Sequence, residues 1–330
     1  MDSIAIYGLG RIGRQLLRSA VRNDLFVPKV VCDIAPAGTL AALLEVDTNY
    51  GRWPGVTSDE GSISVDGRRI TYLNSRESLP QWGELGVDLV VDCSGRAVTR
   101  EVARLHLENG AKRVLVSGPS ATADDCDAVL LPGINLDDFD AEAHKIISMA
   151  SCTTNALAAV VKVLLESTGI RHGVFSTVHA YTNTQSLTDQ PMKSRRDSWA
   201  GAENIIPSSS GAAKALGFIW PDLKITGKAY RVPVRTGSIV ELNAVPEREI
   251  STESLRDLFR SAATAGPLKG ILDTFEDEWT SARVVGDPHS SIVDLPLTQS
   301  FNGLISVAAW YDNEAGFSMR LAETAVRLAS

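Results

Sequence analysis

The sequence predicts an α/β protein of two domains, a parallel-sheet domain over residues 1–150 and an α+β domain with a largely antiparallel sheet over residues 151–315. Short β-branched runs alternate with helical stretches through the first half, the pattern of βαβ units. After Ser148 the runs become long and strictly alternating, which suits antiparallel strands with one face in the core. At 330 residues the chain is also longer than one hydrophobic core usually sustains.

Ile4 to Tyr7 reads as the first strand, Arg11 to Arg22 as a helix, Lys29 to Cys32 as a second strand and Thr39 to Glu45 as a second helix. Leu89 to Asp92, Arg113 to Val116, Ala128 to Leu130 and Lys145 to Ser148 continue as buried strands, with a crossover helix at Arg100 to Asn109. Ser62 to Tyr72 reads as an inserted hairpin turning at Asp66-Gly67. The second domain opens with a helix over Thr154 to Thr168. Strands follow at Gly173 to His179, Lys228 to Val234, Ser238 to Val245 and Leu304 to Tyr311, and a last helix within 316–330 is expected to pack back on the first domain.

A hydrophobic fraction of 44% and a charged fraction of 22% are those of a globular chain. The net charge of -8 argues against nucleic acid as the main ligand, although a few arginines in a cleft can still hold phosphate. Cys32, Cys93, Cys126 and Cys152 have neither zinc-site spacing nor the density of a disulfide scaffold, so no metal and a reducing cytoplasm are expected. MDSIAIYGLG has no export-leader pattern, and no apolar stretch approaches the roughly 20 residues that cross a bilayer.

GLGRIG follows the first strand and opens the first helix. Gly8, Gly10 and Gly13 allow a tight turn, close approach to a pyrophosphate and close helix packing, and the helix start offers free amides. Glycines in such a turn can also serve packing alone. Asp33, about 20 residues on at the end of the second strand, would accept hydrogen bonds from ribose hydroxyls and repel a 2′-phosphate. Together these predict a Rossmann-type domain that takes NAD.

SMASCTTNALAAV places Cys152 between a strand and an apolar helix, where the dipole and nearby amides favour a thiolate. Ser151, Thr153 and Thr154 also suit an N-cap. His179, at the end of GVFSTVHAYTNTQ and close to Thr182 and Asn183, is the candidate base. His106, His144, His172 and His289 are expected in helical or turn-like surroundings and are assigned no chemistry. NIIPSSSGAAKAL offers hydroxyls and amides at a helix start over Ser208 to Gly211. Arg195, Arg196 and Arg231 add guanidinium forks, so the pattern suggests a site for two anions.

With these blocks in this order, the chain resembles phosphorylating glyceraldehyde-3-phosphate dehydrogenases over essentially its whole length: GLGRIGR with Asp33, ASCTTN, VHAYTNTQ, AENIIPSSSGAAKA, RVP and WYDNEAGFS. The resemblance implies a homotetramer that oxidises glyceraldehyde 3-phosphate through a Cys152 thioester, with His179 as base, and resolves it with inorganic phosphate to give 1,3-bisphosphoglycerate. It implies Thr182 and Arg231 at the substrate phosphate, and Ser151, Thr153, Ser210 and Gly211 at the attacking phosphate, with Arg196 between them. It implies Gly8, Gly10, Arg11, Ile12, Gly13, Asp33, Ser117 and Asn313 at the cofactor, and Pro191 closing off room for a 2′-phosphate.

Met149, Ala156, Thr184, Arg235, Ala315 and Phe317 depart from the family pattern, and the segment between Arg196 and Glu203 reads as one residue longer. Ala156, Thr184, Ala315 and Phe317 together motivate one alternative, an isozyme tolerant of thiol-directed natural products. Two others are an erythrose-4-phosphate dehydrogenase, which would use water in place of phosphate, and a non-catalytic nucleotide-binding protein.

Overall fold

The computed structural model describes residues 3–330. The chain forms two compact units, one running to Ala150 and resuming over Ser318–Ser330, the other comprising Ser151–Phe317.

The first unit begins β1 (Ile4–Tyr7), α1 (Arg11–Arg22), β2 (Val30–Asp33) and α2 (Ala37–Glu45). A small ladder of β3 (Val46–Asp47) and β4 (Gly51–Arg52) precedes β5 (Thr57–Asp59), β6 (Ser62–Val65) and β7 (Arg68–Asn74). Then come β8 (Leu89–Asp92), α3 (Arg100–Glu108), β9 (Arg113–Val116), β10 (Ala128–Val129) and β11 (Ile146–Ser148). The nine-stranded sheet has the order β10, β11, β9, β8, β1, β2, β7, β6, β5. All its ladders are parallel except β5 with β6 and β6 with β7.

The apolar runs explain this sheet. Ile4, Ala5, Ile6, Val90 and Val91 are wholly buried, as expected of parallel strands covered on both faces. The expected hairpin is present, with Asp66 at φ 49° and Gly67 at φ 74° matching its tight turn. It belongs to the main sheet, because β7 pairs in parallel with β2. In α1, Leu16, Leu17, Ala20 and Val21 make the buried stripe, and the helix stops at Asn23, whose side chain donates to Ser19 O at 2.8 Å. His106 is equally structural: it accepts from Trp82 Nε1 at 3.1 Å and donates to Asp92 at 2.9 Å, all three groups being buried.

The second unit contains α4 (Cys152–Ser167), β12 (His172–Ala180), β13 (Ile206–Ser209), α5 (Ala212–Ile219), β14 (Ile225–Val232), β15 (Ser238–Val245) and α6 (Thr252–Thr264). It continues with β16 (Leu272–Phe275), β17 (Ser291–Asp294), β18 (Gln299–Phe301) and β19 (Leu304–Tyr311), and α7 (Ala315–Ala329) begins there. The sheet order is β13, β14, β12, β15, β19, β17, β16, with β18 on β19. It is mixed: β12 with β14 and β16 with β17 are parallel, and the remaining ladders are antiparallel.

Helix α4 is apolar on every side from Ala156 to Val161, which marks a central helix, and it packs on β15, β17 and β19 and against α5 and α6. Ala156 lies in that core and Met149 is buried just before it, so these two departures fill space. Histidine 172 opens β12 instead of lying in the helical or turn-like setting expected of it. Among the described residues no helix is long and apolar enough to cross a membrane.

Candidate active site

In the first unit the sheet order reverses at β1, with β2 on one side and β8 on the other, and ligands of open α/β sheets bind at the carboxyl ends of strands at such a point. Gly8 sits there at φ +91°, and a Cβ on it would fall 2.7 Å from Ser94 N. A Cβ on Gly13 would lie 1.9 Å from Gly8 O, so the helix start can pack on the turn only without a side chain. Around Gly10 a Cβ would meet nothing within 4 Å, which leaves this side of the loop open for close approach to its backbone. The loop therefore fits a dinucleotide pyrophosphate.

Gly13→Ala is expected to lower stability by about 3 kcal/mol, the upper end of an overpacking penalty, and to weaken NAD binding with it. Calorimetric melting and titration of NAD check this; an unchanged melting temperature would contradict it.

Asp33 ends β2 beside the loop, its Oδ2 accepting from Leu9 N at 2.6 Å and its Oδ1 from Ala35 N at 2.9 Å. Each oxygen retains a second lone pair for a ribose hydroxyl. The Arg11 guanidinium turns to Asp47, at 2.6 Å, so what Arg11 and Ile12 can present to a phosphate is their backbone at the helix start. Ser117 follows β9 and donates its amide to Asp92 O at 3.0 Å, at the same end of the sheet. Burial pushes the nearby Cys93 thiol up to about 12 and Cys32 likewise, so both stay protonated.

In the second unit, Ser151 caps α4: its Oγ accepts from Thr154 N at 3.1 Å, and Thr154 Oγ1 returns to Ser151 N. Ala150 precedes it with φ 53°, a left-handed turn in a non-glycine residue that swings the chain from strand to helix. Cys152 thus occupies the first position of α4, a half-buried residue whose sulfur lies 3.4 Å from His179 Nε2. His179 is 4% exposed near the end of β12. A buried alternation delivers Phe175, Thr177 and His179 to one face of the strand.

The ring's other nitrogen, Nδ1, lies 2.7 Å from Ala180 O and 2.5 Å from Arg231 Nη1. A neutral imidazole has one N–H and a guanidinium only donates, so these two contacts cannot both be hydrogen bonds. The carbonyl is fixed by the backbone, while Arg231 ends a flexible stem that also reaches Ala180 O at 3.2 Å. We therefore assign the proton to Nδ1, donating to Ala180, with the Nε2 lone pair facing the thiol.

Burial pushes the Cys152 thiol up, against the opposing pull of the Arg231 charge and of the Thr153 amide, which favour the thiolate. His179 is pushed down to about 3 by burial and then by the Arg231 charge, against the Ala180 hydrogen bond. The imidazole therefore rests uncharged at neutral pH.

The remaining sequence-predicted residues divide. Arg231 is the register partner of His179 across β12 and β14, so it is brought to the site. Thr182 follows β12, its amide and hydroxyl held by Gln185 Oε1 at 3.0 and 3.3 Å. Thr153 Oγ1 meets Tyr311 Oη at 2.8 Å. Ser210 and Gly211 start α5, where Ser210 Oγ accepts from Ala212 N at 3.3 Å.

Arg196 is exposed. It opens the 3-10 turn Arg196–Ser198 with its side chain at the surface, and Asp197 takes the inner position, accepting from Gln185 Nε2 at 3.0 Å. A turn of three residues aims each at a different side, and the donor on Gln185 selects the carboxylate.

Sequence reasoning missed Tyr311, which bridges Thr153 and Thr177 with 2.8 Å contacts, although WYDNE contains it. It also gave no role to Gln185, inside VHAYTNTQ, or to Ser238, which no motif marks. Asn313 Oδ1 accepts from Gly237 N at 3.2 Å and Ser238 Oγ at 3.1 Å, so its amide is fixed with Nδ2 left to donate. Among the described residues no cluster of three or more His, Cys, Asp or Glu side chains could hold a metal ion.

Residues 2–100 match the family model described as the glyceraldehyde 3-phosphate dehydrogenase NAD binding domain, and residues 151–313 match its C-terminal domain. The chain is 47% identical to the glyceraldehyde-3-phosphate dehydrogenase of Kitasatospora aureofaciens, with all of both chains covered. It is 42% identical to glyceraldehyde-3-phosphate dehydrogenase 2 of Streptomyces arenae and to the Geobacillus stearothermophilus enzyme, over 99% of this chain and 98% of each relative. The chain belongs to the glyceraldehyde-3-phosphate dehydrogenase family.

Proposed function

We propose that the protein oxidises glyceraldehyde 3-phosphate with NAD and inorganic phosphate, giving 1,3-bisphosphoglycerate and NADH. The observation that carries this is the Cys152 sulfur 3.4 Å from His179 Nε2. As the sulfur bonds to the aldehyde carbon, its proton passes to Nε2 and then to the new alkoxide, giving a thiohemiacetal. His179 next takes the hydroxyl proton as the C–H bond breaks, leaving a thioester on Cys152. NAD, when bound, accepts the hydride; Gly8 to Gly13 and Asp33 would hold it, with Asn313 Nδ2 donating to its carboxamide.

Inorganic phosphate attacks the thioester carbon, the C–S bond breaks, and the sulfur recovers its proton from His179. Thr182 and Arg231 hold the substrate phosphate, and Ser151, Thr153, Ser210 and Gly211 hold the attacking one. A phosphate dianion at Arg231 offsets the positive charge that holds His179 down, so substrate binding itself raises the basicity of Nε2. Arg196, exposed, would reach between the two anions.

Assembly as a homotetramer is part of the same reading. The helices α4, α5 and α6 cluster together on the sheet, while Val174 and Val178 of β12 are 51% and 41% exposed, which supports an interface through the uncovered strands. Light scattering checks it: a tetramer mass is expected, and a monomer at working concentration would contradict it.

The test of the reaction is NADH formation from glyceraldehyde 3-phosphate with phosphate present and absent. Steady turnover should need phosphate and stop after one equivalent of NADH without it. Sustained turnover in its absence would point to water as the acceptor and sink the phosphorylating reading.

A further inference from the structure

We infer that Ser238 is a positioning residue for hydride transfer, holding the base and the nicotinamide-carboxamide donor in one frame; this rests on the roles proposed above for His179 and Asn313. Ser238 opens β15 and is 1% exposed. Its Oγ accepts from Ala180 N at 3.2 Å and donates to Asn313 Oδ1 at 3.1 Å. The directions are not free. A backbone amide can only donate, so the hydroxyl proton is left for the asparagine oxygen.

The asparagine end is equally determined, because Gly237 N also donates to Oδ1, at 3.2 Å. At the other end Ala180 O accepts the His179 Nδ1 proton at 2.7 Å. A continuous path therefore runs from the imidazole through Ala180 and Ser238 to Asn313. The ladder between β12 and β15 ends at Val178 with Ile239, so beyond it Ser238 supplies the partner that Ala180 N would otherwise lack. The strap cannot easily shift to compensate: Gly237 has φ +87°, and a Cβ there would lie 2.5 Å from Ser281 O.

The alternative is that Ser238 merely supports the fold, and a double-mutant cycle separates the two. NAD is titrated calorimetrically into the wild type, Ser238→Ala, Asn313→Ala and the double variant, and the single-turnover rate of NADH formation from glyceraldehyde 3-phosphate is read on each. Ser238→Ala should weaken NAD about fivefold, the worth of one neutral hydrogen bond, and slow the single turnover about tenfold. In the Asn313→Ala background the same change should alter NAD affinity by less than about twofold. Independent, multiplying losses would overturn the inference.

Should Ser238→Ala not fold, Ser238→Cys keeps the volume with a weak donor and completes the same cycle. A wild type that shows the coupling in NAD binding but makes no NADH would retire the proposed reaction and leave the linkage standing. Multiplying losses retire the linkage whatever the wild-type activity.

Discussion

Replacing Cys152 by serine is expected to lower NADH formation by about 10⁴-fold or more, the scale of loss when a covalent nucleophile is removed. The reason lies in the resting pair. Burial pushes the thiol up, so attack is helped by passing its proton to Nε2 as the carbon–sulfur bond forms. A serine hydroxyl is a far weaker acid than a thiol, so the same imidazole takes its proton far less readily. The side chains are nearly isosteric and the cap on α4 is made by Ser151, so the fold should survive. Stopped-flow NADH formation checks this, with melting curves as the control; activity within tenfold of wild type would remove the nucleophile.

Changing His179 to asparagine should cost about 10²- to 10⁴-fold in the single-turnover rate, the usual contribution of a general base. It should also alter how stability depends on pH. The ring's ordinary value is 6.5 and its value in the folded chain is about 3, so between these limits the unfolded state binds more protons than the native one. The stability associated with the neutral buried ring is fully present above pH 6.5 and is lost as pH falls toward 3. Asparagine has no such titration. The gap in melting temperature between wild type and variant should therefore narrow on going from neutral to mildly acidic buffer; a gap that widened would mean the ring is charged in the native protein.

Much of this was legible in the chain because backbone geometry and periodicity leave local traces. Gly8 and Gly13 announce a turn where a side chain would collide with backbone, and the alternation of Phe175, Thr177 and His179 announces which residues face inward. Cys152 and His179 could be named from their blocks, though their 3.4 Å approach depends on how α4 packs on the sheet to which β12 belongs. What depends on burial could not be read locally. The helix start favours a thiolate, and the opposing desolvation of the sulfur becomes visible only in the fold.

Orientation within an irregular segment was equally hidden. Arg195, Arg196 and Asp197 form one polar run, and only the folded turn shows that the carboxylate points toward Gln185. Ser238 left no trace at all, since a serine opening a strand is common and its value comes from two partners distant in sequence.

The central claim is that a thioester forms on one particular sulfur. Enzyme mixed with NAD and glyceraldehyde 3-phosphate in phosphate-free buffer, quenched in acid and mapped by peptide mass, should carry one 3-phosphoglyceroyl group on the peptide containing Cys152. Adding inorganic phosphate before the quench should remove it. A full equivalent of NADH with that peptide unmodified, or with the group on Cys32, Cys93 or Cys126, would contradict the account.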